Sequence, residues 1–265
     1  MPRSHPPTLL TRVRSTLREE CGVERGSRIL AAVSGGGDSA ALLHALHCLS
    51  GRLGLQIIAH GIDHGLRPEA AAELRVARLL AERCNVDFSV TRVRVGPGAN
   101  LQARARAARY QALQKAAARL GADFVATGHH ADDRAETVLL RLLRGAGPRG
   151  LSVLPALDGS LLRPMIRARR VDVLAHLARH AVDYVEDPSN RDRRFLRVRV
   201  RHELLPLLQE LSPRVIEHLN ALADQIAQAP PPRVLDAEGQ PVALGRAQIE
   251  QIRRAQRHGR RQTRR

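Results

Sequence analysis

Three consecutive glycines at the end of an apolar run constrain the fold of this chain more than any other stretch. Residues 29–33 are apolar and partly β-branched, and residues 40–46 follow with the composition of a helix. Residues 34–39, with the sequence SGGGDS, therefore predict a tight turn between a strand and a helix. Glycines let backbone N–H groups approach a phosphate, and a helix N-terminus adds the positive end of its dipole. The stretch predicts a nucleotide site; a glycine-rich turn that binds nothing is the alternative.

The polar residues of this turn supply other groups that a nucleotide needs. Ser34 and Ser39 bracket the glycines with hydroxyl groups, and Asp38 is placed to hold a metal ion beside the phosphates. The predicted nucleotide-binding residues of the turn are Ser34, Gly35, Gly36, Gly37, Asp38 and Ser39.

Two other kinds of phosphate-binding loop are excluded. A loop of the GxxxxGKS type needs a lysine at its end, and the only lysine of the chain, Lys115, lies far from any such loop. The turn after the first strand also lacks the GxGxxG fingerprint of dinucleotide-binding folds. Phosphate contacts are therefore expected from backbone amides, arginine side chains and a metal ion.

The charge of the chain predicts a polyanionic partner. The 265 residues carry a formal net charge of +17. Such an excess attracts a nucleic acid and releases its counterions. Genome composition explains the preference for arginine over lysine, but it does not explain the excess of basic over acidic residues.

The remaining composition predicts a cytoplasmic protein without a membrane partner. No apolar run reaches the roughly 18 residues of a membrane span, and residues 1–7 lack the apolar segment of a signal peptide. The three cysteines form neither a CxxC pair nor a disulfide framework.

Apolar runs alternate with helical stretches through the first half of the chain. Strands are predicted at 29–33, 56–60, 88–95 and 123–127, and helices at 40–46, 69–83, 99–120, 133–144 and 169–180. This alternation is typical of an α/β fold with a parallel sheet flanked by helices. The carboxyl ends of parallel strands share one edge, so we expect residues 34–39, 60–67 and 128–136 to meet in one crevice.

The alternation of strands and helices is less regular in the second half of the chain, which indicates further domains. We predict a catalytic α/β domain over residues 1–194, a helical extension over 195–228, and a proline-rich linker with an arginine-rich tail over 229–265.

A second dense polar cluster follows the fourth predicted strand, in residues 128–137. Glu136 follows Asp132 by four residues and Asp133 by three, so the three carboxylates are expected on one helical face. An acidic pocket of this kind suits a cationic substrate. A capping box of Asp133 with Glu136, and a metal site that includes His129 and His130, are the alternatives.

Two smaller groups complete the predicted site. Asp63 and His64 follow the second strand and are expected to face a bound nucleoside, although a plain loop fits the same pattern. Arg197 and Arg201 lie four residues apart on one helical face, which suits contact with phosphate or an RNA backbone, or a solvated face.

The order of these segments resembles the tRNA(Ile)-lysidine synthetase family, a branch of the PP-loop ATP pyrophosphatases. The matching segments are SGGGDS at 34–39, IDHGLRP at 62–68, TGHHADDRAETVLLRLLRGAGPRGL at 127–151, EDPSN at 186–190 and RHELLP at 201–206. The resemblance implies the adenine nucleotide alpha hydrolase-like fold with a helical C-terminal extension.

The resemblance also implies a two-step ligase that uses ATP and Mg²⁺. ATP would adenylate the C2 carbonyl oxygen of the wobble cytidine in tRNA(Ile) with a CAU anticodon and release pyrophosphate, and free L-lysine would then attack C2 and displace AMP. The implied catalytic residues are Asp38 as metal ligand, Asp132, Asp133 and Glu136 around the lysine, His130 as proton acceptor, and Arg201 beside developing negative charge.

The chain departs from the family pattern at several positions. Arg134 stands where the family commonly has Gln, Gln102 where Glu is common, and Val198 where Asn is usual. Many members continue through further domains that grip the tRNA. Selection of the tRNA is therefore expected to rest on the catalytic domain, on the arginine-rich tail or on a homodimer.

Three other functions are compatible with parts of this sequence. A tRNA thiolation enzyme on the same fold typically needs paired cysteines. A metal-dependent phosphoesterase built on His129, His130, Asp132 and Asp133 would have no use for SGGGDS. A non-catalytic tRNA-binding relative would have no need of Asp38 and the acidic cluster.

Removal of residues 253–265, which carry seven arginines, should flatten the salt dependence of tRNA affinity. Each arginine that contacts a phosphate releases condensed counterions, so its loss lowers the slope of log K against log salt by about 0.7–0.9. Filter binding of the full and shortened chains across a salt series measures this slope. An unchanged slope would show that the tail does not contact tRNA.

Overall fold

The computed structural model describes residues 8–63, 70–94, 96, 98, 101–186, 192–229, 234–235 and 241–242. Contacts divide the chain into two compact units, residues 1–227 and 228–265. His64 and residues 253–265, for which we made predictions above, lie outside the described part.

A mostly parallel sheet of six strands forms the centre of the first unit. The strands are β1 (Arg28–Val33), β2 (Gln56–Asp63), β3 (Asp87–Arg92), β4 (Phe124–Ala126), β5 (Leu157–Asp158) and β6 (Leu161–Leu162). They lie in the order β3-β2-β1-β4-β6-β5, and within this sheet the β5–β6 pair is antiparallel. The prediction of a parallel α/β sheet is confirmed, although the short β5–β6 hairpin was not predicted.

Helices cover both faces of the sheet and continue beyond it. The α-helices are α1 (Leu9–Ser15), α2 (Gly37–Leu53), α3 (Ala70–Arg83), α4 (Leu101–Leu120), α5 (Ala131–Leu143), α6 (Pro148–Leu151), α7 (Arg170–Arg179), α8 (Leu196–Arg199), α9 (Leu205–Leu211) and α10 (Val215–Gln228). Two π-helical turns, Thr16–Glu20 and Val200–Leu204, extend α1 and join α8 to α9.

The central strand β1 explains why its sequence is a continuous apolar run. It pairs in parallel with β2 on one side and with β4 on the other. Its Ile29 packs in a cluster with the apolar side chains of α2, whereas Leu30 packs with Leu113 of α4 and Val125 of β4. Both faces are therefore covered by helices, which is the environment that continuous apolar strands require.

The C-terminal helices of the first unit pack against α5. Ala135 and Leu139 of α5 share an apolar cluster with Val200, Leu205 and Ile216. This packing brings the helical extension onto the same helix that follows β4.

The departure at Arg134 has a structural explanation. The side chain is almost completely buried; its Nη2 lies 2.7 Å from Asp224 of α10, and its Nε donates to the carbonyl of Val153 at 2.9 Å. The arginine therefore ties α5 to α10 and to the segment after α6. A shorter glutamine at this position would need other partners.

The described residues of the second unit form a small antiparallel ladder. It consists of β7 (Val234–Leu235) and β8 (Pro241–Val242). This ladder lies within the segment for which we predicted a linker and tail. None of the helices in the described ranges combines the length and apolar character needed to cross a bilayer.

Stability should fall as the pH drops from about 6.5 to about 4, partly because of His60. This residue is fully buried in β2, and its ring nitrogens lie 2.7 Å from the Ser89 hydroxyl and 3.0 Å from the Thr91 hydroxyl. Burial, with a smaller effect of Arg119, lowers the pKa of His60 to about 4. The unfolded chain therefore binds a proton in this pH window that the folded chain does not, which costs the fold on the order of 2–3 kcal/mol.

Urea unfolding of His60→Gln at pH 7 and pH 4.5 tests this prediction. The variant should lose part of the pH dependence, whereas His218→Gln, at an exposed position, should keep it. Equal pH dependence in His60→Gln and the unaltered chain would refute the assignment.

Candidate nucleotide-binding and catalytic site

A cavity of about 600 Å³ opens at the carboxyl ends of the central strands. Its walls include Ser34 after β1, His60 and Ile62 of β2, and Gly128 and His129 after β4. Two of the three predicted segments, 34–39 and 128–136, therefore meet here as expected. The third segment, 60–67, contributes His60 and Ile62 of β2 to the cavity. Asp63, at the end of the same strand, forms an ion pair with Arg92 at 3.1 Å and is not among the residues that line the cavity.

The glycine-rich turn adopts a conformation that only glycine fits. Gly35 has a φ of +85°, and a Cβ there would collide with the backbone of Glu73. The carbonyl of Gly35 accepts a hydrogen bond from the N–H of Val185 at 2.9 Å. Gly36 is the N-cap of α2, so the N–H groups of the first turn lie at the end of the loop, where they lack intrahelical partners.

The two serines of the loop contact each other. The Ser39 hydroxyl donates to the carbonyl of Gly36 at 2.8 Å and accepts from the N–H of Ser34 at 3.1 Å. The two hydroxyl oxygens lie 3.3 Å apart. Ser39 therefore closes the loop on itself, a role that the sequence pattern alone did not predict.

Gly128 allows the second polar segment to reach the loop. A Cβ at this position would lie 2.8 Å from the carbonyl oxygen of Asp38 and 3.2 Å from the nitrogen of Ser39. The chain after β4 therefore passes directly against the first turn of α2. Any larger residue would push the two segments apart.

Asp38, His130 and Asp133 converge beside the loop. The Nε2 atom of His130 lies 3.6 Å from Asp38 Oδ1 and 3.5 Å from Asp133 Oδ2. One possible ligand atom from each of the three residues lies within 4.8 Å of the others. Burial raises the pKa of Asp38, and the nearby Asp133 adds to this, while His130 opposes it.

His130 begins α5 by capping its N-terminus. Its Nδ1 accepts from the N–H of Asp133 at 3.3 Å, and the Asp133 carboxylate accepts from the N–H of His130 at 3.1 Å. The capping box therefore joins His130 to Asp133, and the alternative of a box between Asp133 and Glu136 is wrong. Because Nδ1 accepts, the neutral ring carries its proton on Nε2, next to the two carboxylates. To accept a proton at Nδ1, His130 would have to break the hydrogen bond from the N–H of Asp133 that caps α5.

Two arginines neutralise the buried carboxylates of α5. The distances are 2.9 Å from Arg197 to Asp133, 2.9 Å from Arg197 to Glu136, 3.3 Å from Arg201 to Asp133 and 2.5 Å from Arg201 to Glu136. Burial alone would raise the pKa of Asp133, but His130, Arg197, His129 and Arg201 together hold it below its usual range. Asp133 is therefore ionised at the cavity wall.

The three carboxylates of this segment do not share one face as we predicted. Asp132 accepts from the N–H of Arg170 at 2.8 Å and from Nε of Arg169 at 3.3 Å, so it contacts the N-terminus of α7. Consecutive helical residues point about 100° apart, which separates Asp132 from Asp133. Asp133 lines the cavity, whereas Asp132 does not and Glu136 lies behind the arginines.

Two arginines of the cavity were not predicted from the sequence. Arg106 and Arg109 of α4 line it, three residues apart on one helical face. His129, also in the wall, has a pKa lowered to about 3 by burial, so its ring is neutral; its Nδ1 lies 3.0 Å from the Thr127 hydroxyl. The spacing of Arg106 and Arg109 was visible in the sequence, but nothing in it distinguished them from the other arginines of the helix.

The donor set beside the loop fits a hard divalent cation such as Mg²⁺. Asp38 and Asp133 offer carboxylate oxygens, which Mg²⁺ prefers. The buried Nε2 of His130 has no hydrogen-bond partner. A cation held by Asp38, the less buried carboxylate, with His130 orienting the oxygens, agrees with this arrangement.

These features define a class of protein. A parallel α/β sheet with a glycine-rich loop between β1 and the N-terminus of α2 is a nucleotide-binding arrangement. Residues 9–208 match the family model of the PP-loop domain, which is a particular kind of nucleotide-binding domain. The chain belongs to the PP-loop domain family.

Curated relatives and solved structures agree with this assignment. The chain is 43% identical to a tRNA(Ile)-lysidine synthase of Pseudomonas fluorescens over 182 residues, which cover 67% of this chain and 41% of the relative. It is 37% identical to a tRNA(Ile)-lysidine synthase of Nitratidesulfovibrio vulgaris over 219 residues, which cover 78% of this chain and 63% of the relative. The chain thus spans less than two thirds of the length of these relatives.

One solved structure shares the fold over most of its length. The U34-tRNA thiolase NcsA from Methanococcus maripaludis superposes with a TM-score of 0.71 and 15% identity, covering 90% of this chain and 84% of that one. At this identity the likeness concerns the fold alone.

Glu136→Gln should destabilise the fold strongly because it leaves two arginines beside an uncharged side chain. Glu136 is 1% exposed, and loss of one partner of a buried ion pair costs on the order of 3 kcal/mol. The matched control is Glu203→Gln, which removes an exposed pair with Arg199 (3.0 Å) and should cost less than about 1 kcal/mol. Urea unfolding at pH 7 measures both, and equal losses would contradict a structural role for the buried pair.

Proposed function

We propose that this chain carries the catalytic domain of a tRNA(Ile)-lysidine synthase, a ligase that forms a C–N bond. The observation that carries the proposal is the cavity in which a PP-loop meets an ionised carboxylate, Asp133, and two arginines, Arg197 and Arg201. Similarity to relatives of that name over most of this chain supports the same activity.

In the proposed first step, ATP binds with its pyrophosphate part against the first turn of α2. The N–H groups at this helix end and the loop glycines suit an anion. The C2 carbonyl oxygen of the wobble cytidine attacks the α-phosphorus, and the bond to pyrophosphate breaks. Arg197 and Arg201 line the same cavity and would stabilise the negative charge that develops on the phosphate.

Asp38, with Asp133 and His130 beside it, would hold Mg²⁺ at the end of the loop. Bound there, the ion would neutralise charge on the leaving pyrophosphate. Asp38 is suited to this position because Gly128 allows its backbone to pack against the chain after β4, which fixes the start of α2.

In the proposed second step, the ammonium group of free L-lysine loses a proton to solvent, the resulting amine attacks C2, and AMP leaves with the C2 oxygen. Asp133 is our candidate for contact with the ammonium form of the substrate, because its carboxylate is ionised and lines the cavity. Asp132 and Glu136 would act through their contacts with α7 and the arginines. A lysine bound here would compete with Arg197 for Asp133, so this arginine is expected to move.

The proposed partner is tRNA(Ile) with a CAU anticodon. The net charge of +17 suits a polyanion, and Arg106, Arg109 and Arg197 add positive charge to the cavity. A tRNA substrate would place the protein in the cytoplasm. The homodimer stays a prediction, which the molar mass in solution would test.

The proposed activity is tested by ATP-dependent incorporation of labelled lysine into unmodified tRNA(Ile) with a CAU anticodon. The methionine tRNA with the same anticodon is the control for selectivity. Incorporation into tRNA(Ile) alone is the expected result. Pyrophosphate release without lysine transfer would point to another nucleophile, and no turnover would overturn the proposal for this chain.

Asp38→Asn should lower the rate of pyrophosphate release at least 100-fold while leaving tRNA affinity nearly unchanged. The amide keeps the size of the side chain but loses the charge that a divalent cation requires. Pyrophosphate release and filter binding are measured side by side. Asp87→Asn is the control, because Asp87 lies exposed at the start of β3, outside the cavity. Retained turnover in Asp38→Asn would refute the metal role.

A further inference from the structure

A short segment that follows α7, residues 181–185, contacts the glycine-rich loop. Its first half is attached to the core and to α3. Val182 is buried among the apolar side chains of the core. The guanidinium of Arg83, at the end of α3, donates to the Asp183 carboxylate at 3.2 Å and to the carbonyl of Ala181 at 3.4 Å. These contacts fix where the second half of the segment lies.

The second half of this segment pairs with the loop. The N–H of Val185 donates to the carbonyl of Gly35 at 2.9 Å, and Val185 also forms an isolated parallel β-bridge with Gly36. The ring of Tyr184 lies against the next glycine, because a Cβ on Gly37 would be 3.2 Å and 3.3 Å from two of its carbons. The two residues therefore contact three consecutive glycines of the loop.

The hydrogen bond from Val185 determines where the next backbone donor of the loop points. In a planar trans peptide the C=O and N–H bonds point in opposite directions. The carbonyl of Gly35 is directed at Val185, so the N–H of Gly36, which belongs to the same peptide unit, points away from Val185. Gly36 lines the cavity, and its N–H has no hydrogen-bond partner within the described part of the chain. This donor is therefore available to an anion.

The peptide between Gly35 and Gly36 needs a partner to keep one orientation. Gly35 has a φ of +85°, and glycine adopts positive and negative φ about equally well, so this peptide can rotate at little steric cost. The hydrogen bond from Val185 and the packing of the Tyr184 ring stabilise the orientation that the structure shows.

We propose that Tyr184 and Val185 are positioning residues that direct the N–H of Gly36 towards the pyrophosphate part of ATP. The inference rests on the proposed binding of ATP by the loop. A donor that already faces the ligand does not have to be ordered when the ligand binds, so the affinity for the phosphates is higher. Of Val185, this role needs the backbone N–H and not the side chain.

Val185→Pro tests the proposal, because proline lacks the N–H. Val185→Ala is the matched variant, since it shortens the side chain but keeps the N–H. Isothermal titration calorimetry of the full chain with Mg²⁺ measures binding of pyrophosphate, ATP and AMP, without tRNA or lysine. Val185→Pro should bind pyrophosphate and ATP about tenfold or more weakly than Val185→Ala, because a hydrogen bond to a charged group is lost. Affinity for AMP, which lacks the pyrophosphate part, should change less than about threefold.

A second pair of variants tests the contact of the ring with Gly37. Tyr184→Ala removes this contact and should weaken pyrophosphate binding roughly threefold or more, because the loop is less well ordered before binding. Tyr184→Phe keeps the ring and should restore most of the affinity that Tyr184→Ala loses.

Urea unfolding confirms that each variant is folded before titration. Equal pyrophosphate affinity in Val185→Pro and Val185→Ala would overturn the proposal, as would an equal loss of affinity for AMP and pyrophosphate. If Val185→Pro does not fold, equal pyrophosphate affinity in Tyr184→Ala and Tyr184→Phe overturns it.

These measurements do not depend on lysine transfer. The ligase activity can therefore fail while the positioning role holds, and the reverse. Absence of pyrophosphate and ATP binding by the unaltered chain would overturn both.

Discussion

The pairing of two buried carboxylates with two arginines holds this structure together around its cavity. Asp133 and Glu136 are almost completely buried at the start of α5, and Arg197 and Arg201 supply the opposite charges that buried carboxylates require. The arginines come from α8 and the π-helical turn that follows it, so the ion pairs also fix the C-terminal helices against α5. The ion pairs therefore both set the charge of the site and hold the helices that surround it in place.

The same arrangement gives the cavity both signs of charge within a short distance. Asp38 and Asp133 lie beside the PP-loop, while Arg106, Arg109 and Arg197 lie on the surrounding wall. The proposed reaction, which would bind a triphosphate, a polyanionic RNA and a cationic amine, would use both signs of charge. The glycines allow the segments around the cavity to pack closely, because Gly35 and Gly128 each allow a backbone contact that a Cβ would prevent.

Much of the fold could be predicted because it depends on local patterns. The continuous apolar run of β1, the SGGGDS turn and the helix after it required only neighbouring residues, and the alternation of strands and helices then predicted the parallel sheet. The hairpin β5–β6 was missed because two-residue strands carry no periodic signal. Of the site, the loop and Asp133 were expected in the crevice and lie there.

The sequence by itself determined the class of this protein, because a strand, a glycine-rich turn and a helix N-terminus make a phosphate site through chain-local geometry. Only the tertiary structure decided which charges meet. It places Asp132 against the N-terminus of α7 and His130 at the N-cap of α5. Arg106 of α4 and Arg201 line one cavity. The tertiary structure also places His44 next to His176, which is 132 residues away. Such partners depend on how helices pack, and no local pattern in the chain encodes that.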